Sequence, residues 1–179
     1  EYTYDPALPG RVQRLVQHES GLATLQVYYT YDDQGRLLRT VNNGETNAFT
    51  YDGVLVNGYR APGVSRSVTY EQGQPTRVVE QGLTNHFHYD NQGRLEVLQR
   101  PESTSEFTYN LGNQVATKTL NSADGIELLS EAYTYDGAGR ISRVEGGGMV
   151  REYSYFADGL IRTQVVNDRV LRSVERDTA

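Results

Sequence analysis

Apolar and aromatic residues alternate with polar ones in short runs, and Gly, Pro, Asn or Asp breaks each run within about ten positions. Alternation with a period of 2 places successive side chains on opposite faces of a strand. No stripe with a 3.6-residue period persists, so the pattern predicts an all-β chain with almost no helix. The runs also repeat. Aligned on the tyrosine before each turn, the anchors are Tyr4, Tyr31, Tyr51, Tyr70, Tyr89, Tyr109, Tyr135 and Tyr155, at intervals of 27, 20, 19, 19, 20, 26 and 20 residues. Two positions earlier stands a second aromatic residue: Tyr2, Tyr29, Phe49, Phe87, Phe107, Tyr133 or Tyr153, with Val68 as the exception. Aromatic-x-Tyr therefore puts two rings on one strand face in nearly every copy.

Each anchor leads into a turn. The clearest copies are Tyr31-Asp32-Asp33-Gln34-Gly35-Arg36-Leu37, Tyr89-Asp90-Asn91-Gln92-Gly93-Arg94-Leu95 and Tyr135-Asp136-Gly137-Ala138-Gly139-Arg140-Ile141. Asp at the first turn position accepts backbone N–H bonds, and Gly three residues on adopts positive φ. Asp32/Gly35, Asp90/Gly93 and Asp136/Gly139 are thus the structural turn residues of β-hairpins with a type I turn and a G1 bulge. Tyr51-Asp52-Gly53, Tyr70-Glu71-Gln72-Gly73, Tyr109-Asn110-Leu111-Gly112 and Tyr155-Phe156-Ala157-Asp158-Gly159 read as degenerate versions, with Gly112 in the glycine place of its copy. Return strands end at looser turns: Asn42-Asn43-Gly44, Glu80-Gln81-Gly82, Arg100-Pro101-Glu102, Gly146-Gly147-Gly148 and Asn167-Asp168. The two long intervals imply longer hairpins through His18–Gly21 and Asn121–Gly125. The expectation is one array over 1–179 with about 16 strands of 5–7 residues, plus a partial ninth copy opening at Val174–Asp177.

Composition narrows the function. A net charge of −6 supplies no basic surface for nucleic acid, and no apolar run is long enough for a membrane helix. Cysteine is absent. Sixteen of the seventeen basic residues are Arg, and four copies place one four residues after the turn glycine: Arg14, Arg39, Arg77 and Arg143. Guanidinium groups stack on rings and fork onto carboxylates, so this column predicts rows of Arg, Tyr and Glu across neighbouring strands.

The unit aromatic-x-Tyr-Asp-x-x-Gly-Arg-Leu resembles the YD repeat of the Rhs family, which includes bacterial Rhs polymorphic toxins, toxin-complex cage subunits and the teneurins. The resemblance covers essentially the whole chain. It implies tandem antiparallel hairpins in one continuous, strongly curled sheet, a partial shell or barrel-like spiral, in a secreted or cell-surface protein. It also implies an enclosed or presented polypeptide, or a carbohydrate, as partner. Two departures stand out: eight copies are far fewer than a large cage uses, and the Asp-Pro-x-Gly signature of self-cleaving members has no counterpart. Asp5-Pro6 continues into Ala7-Leu8.

Catalytic chemistry finds no support in the residues, and neither a cofactor nor a metal is expected. His86 and His88 share a strand face without a visible third ligand. Asp32, Asp52, Asp90 and Asp136 would line one sheet edge as a cation or sugar rim, yet turn capping already accounts for them. The tyrosine columns offer two readings. Rings at Tyr29, Tyr31, Tyr89, Tyr133, Tyr135 and Tyr153 could hold sugar faces. Alternatively they knit neighbouring hairpins together, as a repeat array requires, and this reading is favoured. The chain is expected to be a non-catalytic scaffold and a monomer, with Glu1–Asp5 and Val174–Asp177 as edge strands.

Overall fold

The computed structural model describes residues 1–20 and 22–175. It is all-β among these residues, with 17 strands in chain order. They are β1 (Tyr2–Tyr4), β2 (Val12–Glu19), β3 (Leu22–Tyr31), β4 (Leu37–Asn42), β5 (Glu45–Asp52) and β6 (Leu55–Ala61). Next come β7 (Val64–Glu71), β8 (Gln74–Glu80), β9 (Leu83–Tyr89), β10 (Leu95–Gln99), β11 (Ser103–Tyr109) and β12 (Val115–Ser122). The last are β13 (Glu127–Tyr135), β14 (Ile141–Gly146), β15 (Met149–Tyr155), β16 (Ile161–Val166) and β17 (Arg169–Ser173). All belong to one antiparallel sheet that is not closed. Contacts divide the chain into two compact units, Glu1–His86 and Phe87–Ala179. The long hairpins are β2–β3 and β12–β13, as the long intervals require. The seventeenth strand opens the partial ninth copy, but it ends at Ser173, ahead of the expected Val174–Asp177. The Val174 N–H still donates to Arg162 O at 2.9 Å, while Arg176 and Asp177 lie outside the described residues.

The ladder slips by one residue at the same place in copy after copy. The shift falls between Thr30 and Tyr31, Thr50 and Tyr51, Thr69 and Tyr70, Thr108 and Tyr109, Thr134 and Tyr135, and Ser154 and Tyr155. An extra residue on the return strand absorbs the slip, which bends the pair locally and increases its twist. In the clearest copies the turn is the predicted one. The Gly35, Gly93 and Gly139 amides donate to the Asp32, Asp90 and Asp136 carbonyls at 2.9–3.0 Å, with φ of 75–79° at the glycines.

Three turns depart from the expected form. In the Tyr109 copy the left-handed residue is Asn113 (φ 61°), not Gly112. Asn110 N bonds Gln114 O and Asn113 N bonds Asn110 O, so Asn113 and Gln114 occupy the Gly and Arg places. Asn tolerates this backbone region better than most residues, which hid the substitution one position away from a true glycine. The copies after Tyr51 and Tyr70 close through two-residue turns, with Asp52 opposite Leu55 and Glu71 opposite Gln74. Shortening the turn removes the position that Arg36, Arg94 and Arg140 hold in the longer turns.

The core is thin. Among the described residues only Val16, Val78 and Val144 are buried apolar side chains, with Ser105 the one buried polar side chain. Most ring-column residues are half-buried. With so little apolar burial, the sheet depends on its ladders and on side-chain ties between neighbouring hairpins.

Candidate functional site

The most organised side-chain chemistry lies where each hairpin meets the next. Asp136 Oδ1 accepts N–H bonds from Ala138 and Arg140, both at 2.9 Å, and Oδ2 accepts from Arg140 Nε at 2.8 Å. The same guanidinium donates to Phe156 O at 3.0 Å and lies 4.5 Å above the Tyr155 ring of the next hairpin. Asp90 holds Arg94 in the same way, with Arg94 4.4 Å above Tyr109 and bonded to Asn113 Oδ1 at 2.8 Å. Asp32 holds Arg36 4.7 Å above Tyr51, and Arg36 also donates to Gly53 O. One turn thus fixes its own arginine, and the arginine covers the ring of its neighbour. Each guanidinium is planar, so it can fork onto a carboxylate and stack on a ring at once.

The carboxyls register these partners. The backbone N–H of Arg94 and its guanidinium hold Asp90 below the usual carboxylate range, and the guanidinium and N–H of Arg140 do the same for Asp136. At Asp32 desolvation pushes upward, but the Arg36 bonds outweigh it and the net displacement is downward. All three acids are ionised at neutral pH with both oxygens engaged, so the turn aspartates present caps and clamps along the edge. Asp52 ends β5 and pairs with Leu55 across a two-residue turn.

A second tie is more widespread. Six anchor tyrosine hydroxyls donate to a backbone carbonyl at the start of the previous return strand, on its first residue in five copies and on its second, Val56, in one. Tyr31 reaches Val12 O (2.9 Å), Tyr51 Leu37 O (2.7 Å) and Tyr70 Val56 O (2.9 Å). Tyr109 reaches Leu95 O (2.7 Å), Tyr135 Val115 O (2.8 Å) and Tyr155 Ile141 O (2.7 Å). The ring column was legible in the sequence; that its hydroxyls end on main-chain carbonyls was not.

The tyrosines singled out as sugar-stacking candidates are half-buried in this face. Tyr31 and Tyr135 have their hydroxyls on carbonyls, and Tyr133 donates to Glu131 Oε2 at 2.6 Å. Burial and that bond push the Tyr133 phenol up to about 12. Burial also raises Tyr31 and Tyr89. Glu131 is held low by Tyr133 and by Arg151, which donates to its other oxygen. Tyr29 and Tyr153 stand across the ladder from Thr40 and Gln164.

The Arg14, Arg39, Arg77 and Arg143 column behaves differently from the expectation. Thr30 pairs with Arg39, Thr69 with Arg77 and Thr134 with Arg143, so the register puts these arginines on the face away from the ring columns. Only Arg143 forms an Arg–Glu row, with Glu152 at 2.8 Å and Glu145 at 3.1 Å. Arg14 lies over Tyr28, which belongs to neither column, at 5.6 Å. The arginine that covers column rings is the one directly after the turn glycine, a letter of the repeat whose role the spacing did not reveal. His86 stands opposite Arg77 in the ladder.

No family model matches this chain, and no curated protein matches it. Solved structures do. The chain is similar to a crystal structure of TcdB2–TccC3–Cdc42 at a TM-score of 0.69 and 14% identity, over 94% of this chain and 11% of that one. It is also similar to the Tc holotoxin pore of Photorhabdus luminescens carrying a TccC3 mutation, at a TM-score of 0.62 and 17% identity, over 79% of this chain and 9% of that one. The chain thus spans about a tenth of the length of the chains it matches. Recurrent aromatic-x-Tyr hairpins, the bulge at each anchor and this shared architecture together give the chain a Rhs/YD-repeat-like fold.

Proposed function

We propose that this chain is a non-catalytic structural β-scaffold, a segment of a secreted or surface-exposed shell that encloses or presents a polypeptide. The observation that carries the reading is the use of the repeat's polar groups. The anchor hydroxyls and the turn Asp–Arg pairs bind one hairpin to the next, which is what an array with a thin core needs. The neighbours in fold are toxin-complex assemblies, which supports a shell-type role. The scaffold is monomeric in this reading; Arg169 and Arg172 on the edge strand β17 oppose casual strand pairing.

A glycan array on the purified chain tests the proposal against sugar recognition by the tyrosine columns. The scaffold reading expects no saturable hit. Saturable binding that disappears in Tyr29→Ala or Tyr153→Ala, with the β-sheet circular dichroism intact, would replace it with an adhesion module. Light scattering at micromolar concentration tests the monomer.

A further inference from the structure

Val68 is the one place where the first aromatic column lacks a ring. The structure leaves space there: a cavity of about 310 Å³ is bounded by Val56, Gly58, Tyr59, Arg66, Val68 and Tyr70. Its register places Val68 opposite Val78 and Tyr59 opposite Arg66, all within β6–β8. Val56 is 42% exposed, whereas residues that accept an anchor hydroxyl in other copies, such as Leu37, Leu95 and Ile141, are half-buried. The missing ring therefore uncovers an apolar floor. Tyr59, outside both columns, borders the gap and packs on Phe49 at 5.2 Å.

Polar chemistry around the gap is sparse. The Tyr70 hydroxyl is held by Val56 O and that of Tyr59 by Asn47 Oδ1 at 3.2 Å. Arg66 is exposed, and the ion pairs among the described residues do not include it, although Glu80 stands opposite in the ladder. Elsewhere in the molecule a guanidinium beside a ring covers that ring.

We propose that this seat takes an aromatic side chain from a partner polypeptide that carries a carboxylate next to the ring. The ring would rest on Val56 and Val68 beside Tyr59 and Tyr70, where seven other copies supply a ring of their own. Arg66 would meet the carboxylate, the one strong polar contact the seat offers. A sugar fits this chemistry poorly, because the flanking phenols have given their only protons to Val56 O and Asn47 Oδ1 and offer its hydroxyls nothing but acceptors. The seat is open on one side, which suits a side chain presented by a larger molecule. The proposal rests on the scaffold reading only in taking the partner to be a polypeptide, and it gives that partner a chemistry.

The test titrates the 179-residue chain with N-acetyl-Tyr-Asp-amide, following amide shifts in two-dimensional NMR. Saturable shifts confined to residues near 56–70 are expected, with a dissociation constant roughly in the millimolar range for so small a probe. Arg66→Gln should weaken this probe by about fivefold and leave N-acetyl-Tyr-Asn-amide unaffected. Val68→Phe should restore the column, hold or raise the melting temperature, and abolish both interactions. The proposal falls if the wild type shows no saturable shift, if Val68→Phe binds as before, or if Val68→Phe lowers the melting temperature. It also falls if methyl glucuronide shifts the same amides as strongly. A glycan-array hit lost on Tyr29→Ala would instead strike the scaffold reading, leaving the peptide titration to be judged on its own result.

Discussion

The turn at Asp136 and the turn at Gly53 occupy equivalent places in their hairpins and are built differently. The first is long enough to hold a carboxylate, a left-handed glycine and an arginine. That arginine is bonded at its own turn and stacked on the Tyr155 ring of the next hairpin. The second reverses the chain in two residues and has room for none of this, yet its hairpin still receives the Tyr70 hydroxyl on Val56 O. The hydroxyl tie is thus the common fastening of the array. The Asp–Arg clamp is an addition that only the longer turn permits.

Substitutions can break or sharpen that contrast. The largest effect belongs to a close approach on the return strand of the clamped turn, at the end of β14 away from that turn. A Cβ on Gly146 would overlap the Ser130 carbonyl oxygen and press on the Glu131 backbone, whereas one on Gly58 would overlap only the Thr50 hydroxyl, its other neighbours lying at ordinary contact distance. Gly146→Ala should cost about 3 kcal/mol in a denaturant melt and Gly58→Ala clearly less, since a side chain can turn away and backbone cannot. Equal losses would mean that the strand pairing at Gly146 relaxes freely.

Turn glycines come next. Gly139→Val should destabilise by about 1 kcal/mol or more, because a β-branched residue resists positive φ. The glycine has φ 79°, and its Cβ site also faces Gln114 Nε2 at 3.2 Å. An unchanged melting temperature would show that the bulged turn is not what fixes the register. Tyr155→Phe should then cost about 1 kcal/mol by leaving the Ile141 carbonyl without its donor. Tyr70→Phe should cost less, since its bond is exposed and water can replace it. The reverse order would show that the exposure of the bond does not set its worth.

The smallest effect is the acid limb. Asp32, Asp90 and Asp136 have folded pKa values below their unfolded ones. Their stabilisation is therefore complete above the unfolded value, about 3.9. It is lost as pH falls from there through the folded values. A carbon-detected NMR titration should place all three midpoints below that of an ordinary Asp. A normal midpoint at Asp136 would show its clamp to be open in solution.

Much of this was legible in the sequence because repetition multiplies weak signals. The aromatic-x-Tyr alternation gave the strands and their ring face, and Asp-x-x-Gly located three turns correctly. What stayed hidden were facts that depend on which atom reaches which neighbour. Arg36, Arg94 and Arg140 looked like the first letters of return strands, and only the register shows them over rings 15 residues further on. Asn113 was passed over because glycine stood beside it. In sequence the two-residue turns after Tyr51 and Tyr70 resemble degenerate long turns, since a Gly close to an anchor fits both lengths.

The acceptor of six anchor hydroxyls is a peptide carbonyl, and every residue type carries one. Val12, Leu37, Val56, Leu95, Val115 and Ile141 all serve. The fastening is consequently written in a single letter per copy, with nothing on the receiving side for mutation to spoil or correlated change to reveal. Copies can drift apart in sequence, and a roughly 20-residue cassette can be duplicated or lost, while its neighbours still find the partner they need.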